Sequence, residues 1–215
     1  MTGIVPDARK DAASQLLSAR ANLTGCGSLA GCVGELSVRI PDTELALVTP
    51  HVSLAVPLQR SALQEMTLDG RILHKRARPA FSAQVHLEIY KQRPDVGAIV
   101  HTHAPFATVM GICALPIPPV TFDAIPFANL ARVEISEHTA DRWPQEVAAE
   151  MSGGAGAALL IHDGTIAVGA HLLEVVRRTI ALEETARILV LAYLLDQLPS
   201  TVPPEAVQVL KQVPF

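Results

Sequence analysis

The chain is poor in aromatic residues, with one Trp, two Tyr and five Phe among 215 positions. That leaves little material for the stacking platforms on which single-stranded nucleic acids are held. Basic residues are not in excess either: 17 Lys and Arg stand against 21 Asp and Glu, for a net charge of −4 and a pI near 6.0. The electrostatic footprint of a nucleic-acid partner is therefore absent. Cysteine is scarce as well. Cys26, Cys32 and Cys113 are odd in number and form no C-x-x-C, which speaks against a disulfide framework and a cysteine-rich zinc site. Long apolar runs are missing too. "GAGAALLI" and "ARILVLAYLL" fall short of the roughly 20 residues that cross a bilayer, and "MTGIVPDARKDAASQ" lacks the pattern of a secretory signal. These absences predict a cytoplasmic protein with neither a membrane nor a nucleic-acid partner, acting on a small molecule.

What is present is apolar material for one large core, with 49% hydrophobic and 18% charged residues. The chain reads as a short tail, 1–10, and a single domain, 11–215. "DARKDAASQLLSARANL" has helical spacing, with Leu16, Leu17 and Ala21 on one face and Arg9, Lys10 and Arg20 elsewhere. "ELSVRI", "LALVT" and "SLAVPL" read as short strands, and Asp69-Gly70 as a hairpin turn. "SAQVHLEIYKQRP" is a helix stopped by Pro94, "VGAIVHTH" a central strand, and "PFATVMGICA" a helix opened by Pro105. "PPVTF" could form a strand, and "WPQEVAAEM" reads as a helix. "GAALLIHDGTIAVG" reads as strand, turn and strand, and a long helix runs from about Leu172 to Leu195. That last helix is apolar around much of its surface, which predicts cover on more than one side. The whole is an α/β or α+β arrangement of helices around a mostly antiparallel or mixed sheet.

Two strands end in polar clusters. His101 and His103 alternate onto one face of their strand, about 7 Å apart at Cα. They could converge on a divalent ion, which needs about 2.0 to 2.1 Å to each nitrogen and a further protein ligand. His162 and Asp163 leave a second apolar strand in the same way, although Asp163-Gly164 is also ordinary turn chemistry.

With these pieces in view, the chain resembles the class II aldolase/adducin family of metal-dependent, fuculose-phosphate aldolase-like enzymes. The resemblance is carried by "GCVGELSVRI", "YKQRPDVGAIVHTHAPFATVM" and "LLIHDGTIAVGAHLLEVVRRTIALEETARI", and runs from about Asp11 to Leu195. It implies a three-layer α/β/α sandwich with a central, mainly antiparallel sheet, and a homotetramer with active sites at subunit interfaces. It also implies a divalent metal, zinc ahead of manganese or iron, held by His101 and His103. The family's third histidine ligand stands immediately before a glycine. Here that position is Asp163, with His162 one residue earlier, and either could bind.

Several positions depart from the family's pattern. In "PAFSA", Ser82 takes the place of the catalytic glutamate, and Ala80 and Phe81 replace serines that hold a substrate phosphate. Cys32 and Glu35 replace a threonine and an asparagine of the glycine-rich turn, and Phe122 replaces a tyrosine by ungapped counting. Loss of hydroxyls and gain of a carboxylate oppose phosphate binding. Cys32, Phe81 and Phe122 then become candidate substrate contacts, and Glu35, Ser82 and Asp123 candidate catalytic groups. Glu35, His51, Asp123 and His138 are the polar residues that could substitute for the missing acid/base. His86 and Glu88 read as structural or interface residues, and Glu183 and Glu184 as salt-bridge partners.

The resulting expectation is a metal-dependent carbon–carbon lyase, aldolase- or decarboxylase-type, working through a metal-stabilised enolate on a small oxygenated substrate without phosphate. A non-haem Fe(II) oxygenase, with two histidines and one carboxylate, and a catalytically silent adducin-like scaffold are the alternatives.

Overall fold

A computed structural model describes residues 5–73, 82–127, 130–134 and 142–210. Within them eight strands form one sheet: β1 (Val33–Arg39), β2 (Leu45–Val48), β3 (Val52–Ser53), β4 (Gln64–Thr67), β5 (Ala98–Thr102), β6 (Ala131–Val133), β7 (Ala157–Leu160) and β8 (Gly164–Gly169). Their order is β4-β2-β1-β5-β8-β7-β6, with β3 paired to the start of β1. Neighbours are antiparallel except β6 and β7, which run parallel. The helices are α1 (Val5–Gly25), α2 (Ala83–Gln92), α3 (Pro105–Ile112), α4 (Trp143–Met151), α5 (Leu172–Leu194) and α6 (Pro204–Leu210).

The sheet separates two apolar clusters, and strand alternation decides which residue joins which. Leu36, Val38, Ala98, Val100 and Ala167 meet Leu16 and Leu23 of α1, Met110 of α3 and Leu182 of α5. Ile99, Ile166 and Val168 meet Val85 and Ile89 of α2 and Val147 of α4. The molecule is thus the expected α/β/α sandwich. Because β5, β7 and β8 are covered on both faces, they read in sequence as nearly unbroken apolar runs.

Several local expectations change. Helix α1 begins at Val5, inside the stretch read as a tail. Its buried face is Ala12, Ala13, Leu16, Ala19 and Leu23, while Ala21 is exposed and Arg20 is buried. The Arg20 guanidinium turns inward because it donates to the carbonyls of Ser53 and Val56. "SLAVPL" yields only the end of β3 followed by turns, and "PPVTF" forms no strand: a 3-10 helix covers Phe122–Phe127 instead. Strand β6 and helix α6 were not expected. Helix α5 is covered on more than one side, by α1, α3 and the sheet, as expected, while Leu173, Ile188, Leu191 and Leu194 stay exposed.

Candidate metal centre

Antiparallel pairing sets Glu35 of β1 directly opposite His101 of β5. Residues facing each other across such a pair share a face, and both side chains therefore project toward α2, beside Ser37 and Ile99. Beyond the end of β5, His103 keeps the strand direction because its N–H donates to the Val33 carbonyl at 2.9 Å. Pro105 then opens α3, whose first free N–H groups, on Phe106 and Ala107, donate to the buried Glu183 carboxylate at 3.1 and 2.9 Å. His51 enters from the link between β2 and β3.

The fourth contributor comes from the β7–β8 turn. Asp163 N–H donates to the Leu160 carbonyl at 2.9 Å, and the turn passes through left-handed backbone at His162 (φ 71°) and Gly164 (φ 133°). A β-carbon at position 164 would stand 2.8 Å from the His103 Cα and still closer to the Thr102 carbonyl, so only glycine lets the turn press against the end of β5.

The result is a cluster of imidazoles between two carboxylates. Asp163 places Oδ2 3.2 Å from His101 Nε2 and Oδ1 3.3 Å from His103 Nε2. The rings of His51, His101 and His103 have centroids 5.1 to 5.7 Å apart, and a ligating nitrogen from each lies within 4.8 Å of the others. On the opposite side, Glu35 Oε1 is 4.0 Å from His101 Nδ1 and 3.3 Å from His86 Nε2, and Oε2 is 3.8 Å from His51 Nδ1. Ser82, just ahead of α2, sets its hydroxyl 3.4 Å from His51 Nδ1. The Asp163 side is partly open, with the His103 side chain 38% exposed, whereas Glu35 and His86 are completely enclosed.

Charge in so confined a space moves the proton affinities. Burial works against a charged His101, but hydrogen bonding and charge from Asp163 and Glu35 outweigh it and raise its pKa to about 9. His86 goes the other way: complete burial, only partly offset by Glu35, lowers it to about 4 and keeps it neutral. Burial and the neighbouring His101 lower His103 as well. For Glu35 and Asp163, burial pushes upward but the surrounding imidazoles win, so both are held below the usual carboxylate range.

This donor set fits a divalent cation. His101 Nε2 and His103 Nε2 are buried without a well-directed hydrogen bond, and they face one carboxylate in company with a third imidazole. Three nitrogens and one oxygen suit zinc and also manganese or iron.

The structure brings Asp163, and not His162, to the two histidines: His162 is exposed on the outside of the turn. His51, read from sequence only as a substitute acid/base, stands in the cluster as a third imidazole. The site therefore departs from a two-histidine, one-carboxylate set. His86, read as structural, touches Glu35 directly. Glu35 and Ser82 belong to the cluster; Asp123 instead lines a separate cavity of about 350 Å³ with Arg177, Arg178 and Glu184, and Phe122 is 62% exposed. Cys32 is half-buried, its thiol pKa raised by burial and by Glu183, and it points to the Ser28 carbonyl. Phe81 and His138 lie outside the described residues. Glu183 caps α3 through backbone N–H groups, while Glu184 accepts from Ser28 and pairs with Arg187. His51 carried a readable signal, since it too follows a strand exit.

Residues 14–190 match the family model described as Class II Aldolase and Adducin N-terminal domain. Among curated proteins, the chain is 32% identical over 181 residues to the 5-methylthioribulose-1-phosphate/5-deoxyribulose-1-phosphate aldolase of Rhodospirillum rubrum, covering 80% of this chain and 76% of that one. It is 30% identical to the 3-oxo-tetronate 4-phosphate decarboxylase of Haemophilus influenzae, with coverages of 75% and 79%. Among solved structures, YgbL of Klebsiella pneumoniae, titled a putative aldolase/epimerase/decarboxylase, superposes with a TM-score of 0.81 at 26% identity, over 94% of this chain and 98% of that one. An L-fuculose 1-phosphate aldolase shares the fold with a TM-score of 0.78 at 24% identity, over 93% and 94% of the two chains.

Proposed function

We propose that this chain, which belongs to the class II aldolase and adducin N-terminal domain family, is a divalent-metal-dependent carbon–carbon lyase of aldolase or decarboxylase type. The observation that carries the reading is the convergence of His51, His101 and His103, with Asp163 set against His101 and His103 on the partly open side. These four residues would hold the metal, zinc ahead of manganese or iron. When bound, such an ion supplies Lewis-acid stabilisation of the negative charge that develops as a bond beside a carbonyl breaks.

The chain's own groups divide by accessibility. Asp163 and His103 border the open side and can meet a substrate. Glu35, enclosed and held ionised, cannot; it positions His51 and His101 from behind. Ser82 offers a hydroxyl where the aldolase pattern has a glutamate, and a hydroxyl cannot take up a substrate proton near neutral pH without a base of its own. Decarboxylation, which removes no proton from a substrate hydroxyl, suffers less from that change than aldol cleavage. This supports the decarboxylase branch.

The substrate in this reading is a small oxygenated acid without an obligatory phosphate. The relatives named above act, by their names, on phosphate esters. Against a phosphate here stand Ala80 and Phe81 in place of hydroxyl-bearing residues. The same reading includes a single domain over 11–215, a cytoplasmic location and assembly into a homotetramer with interfacial sites, for which the exposed Leu173, Leu191 and Leu194 of α5 would supply apolar surface.

Metal content after purification without chelator, and thermal shift on adding Zn²⁺, Mn²⁺ or Fe²⁺, test the metal. Paired assays of keto- and hydroxy-acids with and without phosphate, reading aldehyde or CO₂ release, test the chemistry. Bound metal and turnover of unphosphorylated acids are expected. No metal and no stabilisation by it would remove the reading, and turnover confined to phosphate esters would remove its substrate half.

A further inference from the structure

Behind the candidate metal centre lies a row of enclosed polar side chains that the proposed chemistry does not use. Tyr90 and His86 are one helical turn apart on α2 and face the sheet. Between them Ser37 of β1 places its hydroxyl 2.8 Å from the Tyr90 hydroxyl and 2.7 Å from His86 Nδ1. His86 Nε2 then stands 3.3 Å from Glu35 Oε1. His86 and Glu35 are fully buried, Ser37 likewise, and Tyr90 is 1% exposed.

We propose that Tyr90, Ser37 and His86 form a one-way hydrogen-bond chain that presents the Nε2–H of a neutral His86 to Glu35, making His86 a positioning residue for His51 and His101. The direction follows from counting protons. Ser37 is the Tyr90 hydroxyl's only hydrogen-bond partner among the described residues, and a buried O–H must donate to something. Its proton therefore goes to the Ser37 oxygen. Ser37 has one proton of its own, and that proton goes to His86 Nδ1. A neutral imidazole that accepts at Nδ1 carries its hydrogen at Nε2, the nitrogen facing Glu35. Neither His86 Nε2 nor either Glu35 oxygen has a well-directed hydrogen bond to any partner, each other included, and at 3.3 Å the two stand within reach of one.

The consequence reaches the metal side. With Oε1 facing His86 Nε2 at 3.3 Å, the carboxylate also turns its oxygens toward the Nδ1 atoms of His101 and His51, at 4.0 and 3.8 Å. A carboxylate behind a metal-binding histidine fixes the ring and the tautomer, leaving Nε2 free for the ion. This last step rests on the metal reading above; the direction of the chain does not.

The test is long-range ¹⁵N NMR of the histidine rings in the full chain, metal-free and with Zn²⁺, with His86 assigned by His86→Gln. A neutral Nε2–H tautomer in both states is expected. An Nδ1–H tautomer would overturn the proposal. So would a zinc-bound Nε2 signal, since Glu35, His86 and His101 would then themselves be ligands. Zinc affinity measured by chelator competition supplies the second readout. His86→Gln, whose amide can donate at the Nε2 position, is expected within about threefold of wild type, and His86→Leu about 10- to 100-fold weaker. Tyr90→Phe, remote from the ion, is expected to weaken zinc severalfold, so the proposal stays testable even where His86→Leu does not fold. Unchanged affinity in a folded His86→Leu or in Tyr90→Phe would sink the positioning role. A wild-type chain that binds no zinc at all would overturn the metal reading and the positioning role with it, leaving the tautomer result to decide the direction of the chain.

Discussion

One edge of the His101 ring looks toward Asp163, His103 and a partly open space; the other looks toward Glu35 and His86, from which water is shut out. Each edge has its carboxylate, yet the two cannot be interchanged. Asp163 comes from a turn, is a quarter exposed, and sits where an incoming group can reach it. Glu35 comes from the middle of the sheet and is reached only by protein atoms. The difference shows how one residue type serves two ends: on the open edge a carboxylate can be a ligand or meet a substrate, and on the closed edge it can only orient.

Changing the open edge should have the largest effect. Replacing His101 and His103 together by alanine is expected to abolish metal binding and turnover, read by metal analysis and by activity. A folded double variant with a full complement of metal would contradict the division. Next comes Gly164→Ala, which forces a β-carbon onto the Thr102 carbonyl and the His103 backbone in a left-handed conformation. A loss of about 3 kcal/mol in urea unfolding is expected, together with weaker metal binding as Asp163 is displaced. Asp163→Asn, which keeps the shape and removes the charge, should lower metal affinity about tenfold or more. Equal losses from Asp163→Asn and from His86→Gln, which is expected within about threefold of wild type, would blur the contrast between the two edges.

The smallest effect is expected at Glu183, which belongs to neither edge and caps α3. Burial raises its pKa above the ordinary carboxylate value, so the folded chain holds this proton more tightly than the unfolded one. Its contribution is then fully present below the ordinary value and is lost as pH rises through the higher folded value. The Tm advantage of wild type over Glu183→Gln should accordingly shrink as pH rises through that window. An advantage that grows with pH would mean that the two α3 N–H groups dominate instead.

The site was legible in sequence where chemistry coincides with strand periodicity. His101 and His103 stand at the exit of an unbroken apolar strand, and Asp163 at the exit of another; period-two alternation was enough to put the two histidines on one face. His51 escaped because the strand after it is two residues long and supplies no period. His86 escaped because a helix pattern shows that a face is buried, but not that a serine from another strand awaits it. The place of Glu35 behind His101 depends on the register of β1 against β5, a pairing between residues 66 apart in sequence. Of the fold, the core strands and α2 through α5 were visible, while β6 and α6 were too short to stand out from the proline-rich stretches around them.

The two-sided grip on His101 also has a kinetic meaning. Turning its ring over about Cβ–Cγ would put carbon where each nitrogen now faces a carboxylate, forfeiting both interactions at once. The ring is thus held in one orientation in the folded chain, and its ordering entropy has been spent during folding. If the cluster holds a metal as proposed, the rate of uptake would be governed by passage past Asp163 and His103 rather than by rearrangement of His101.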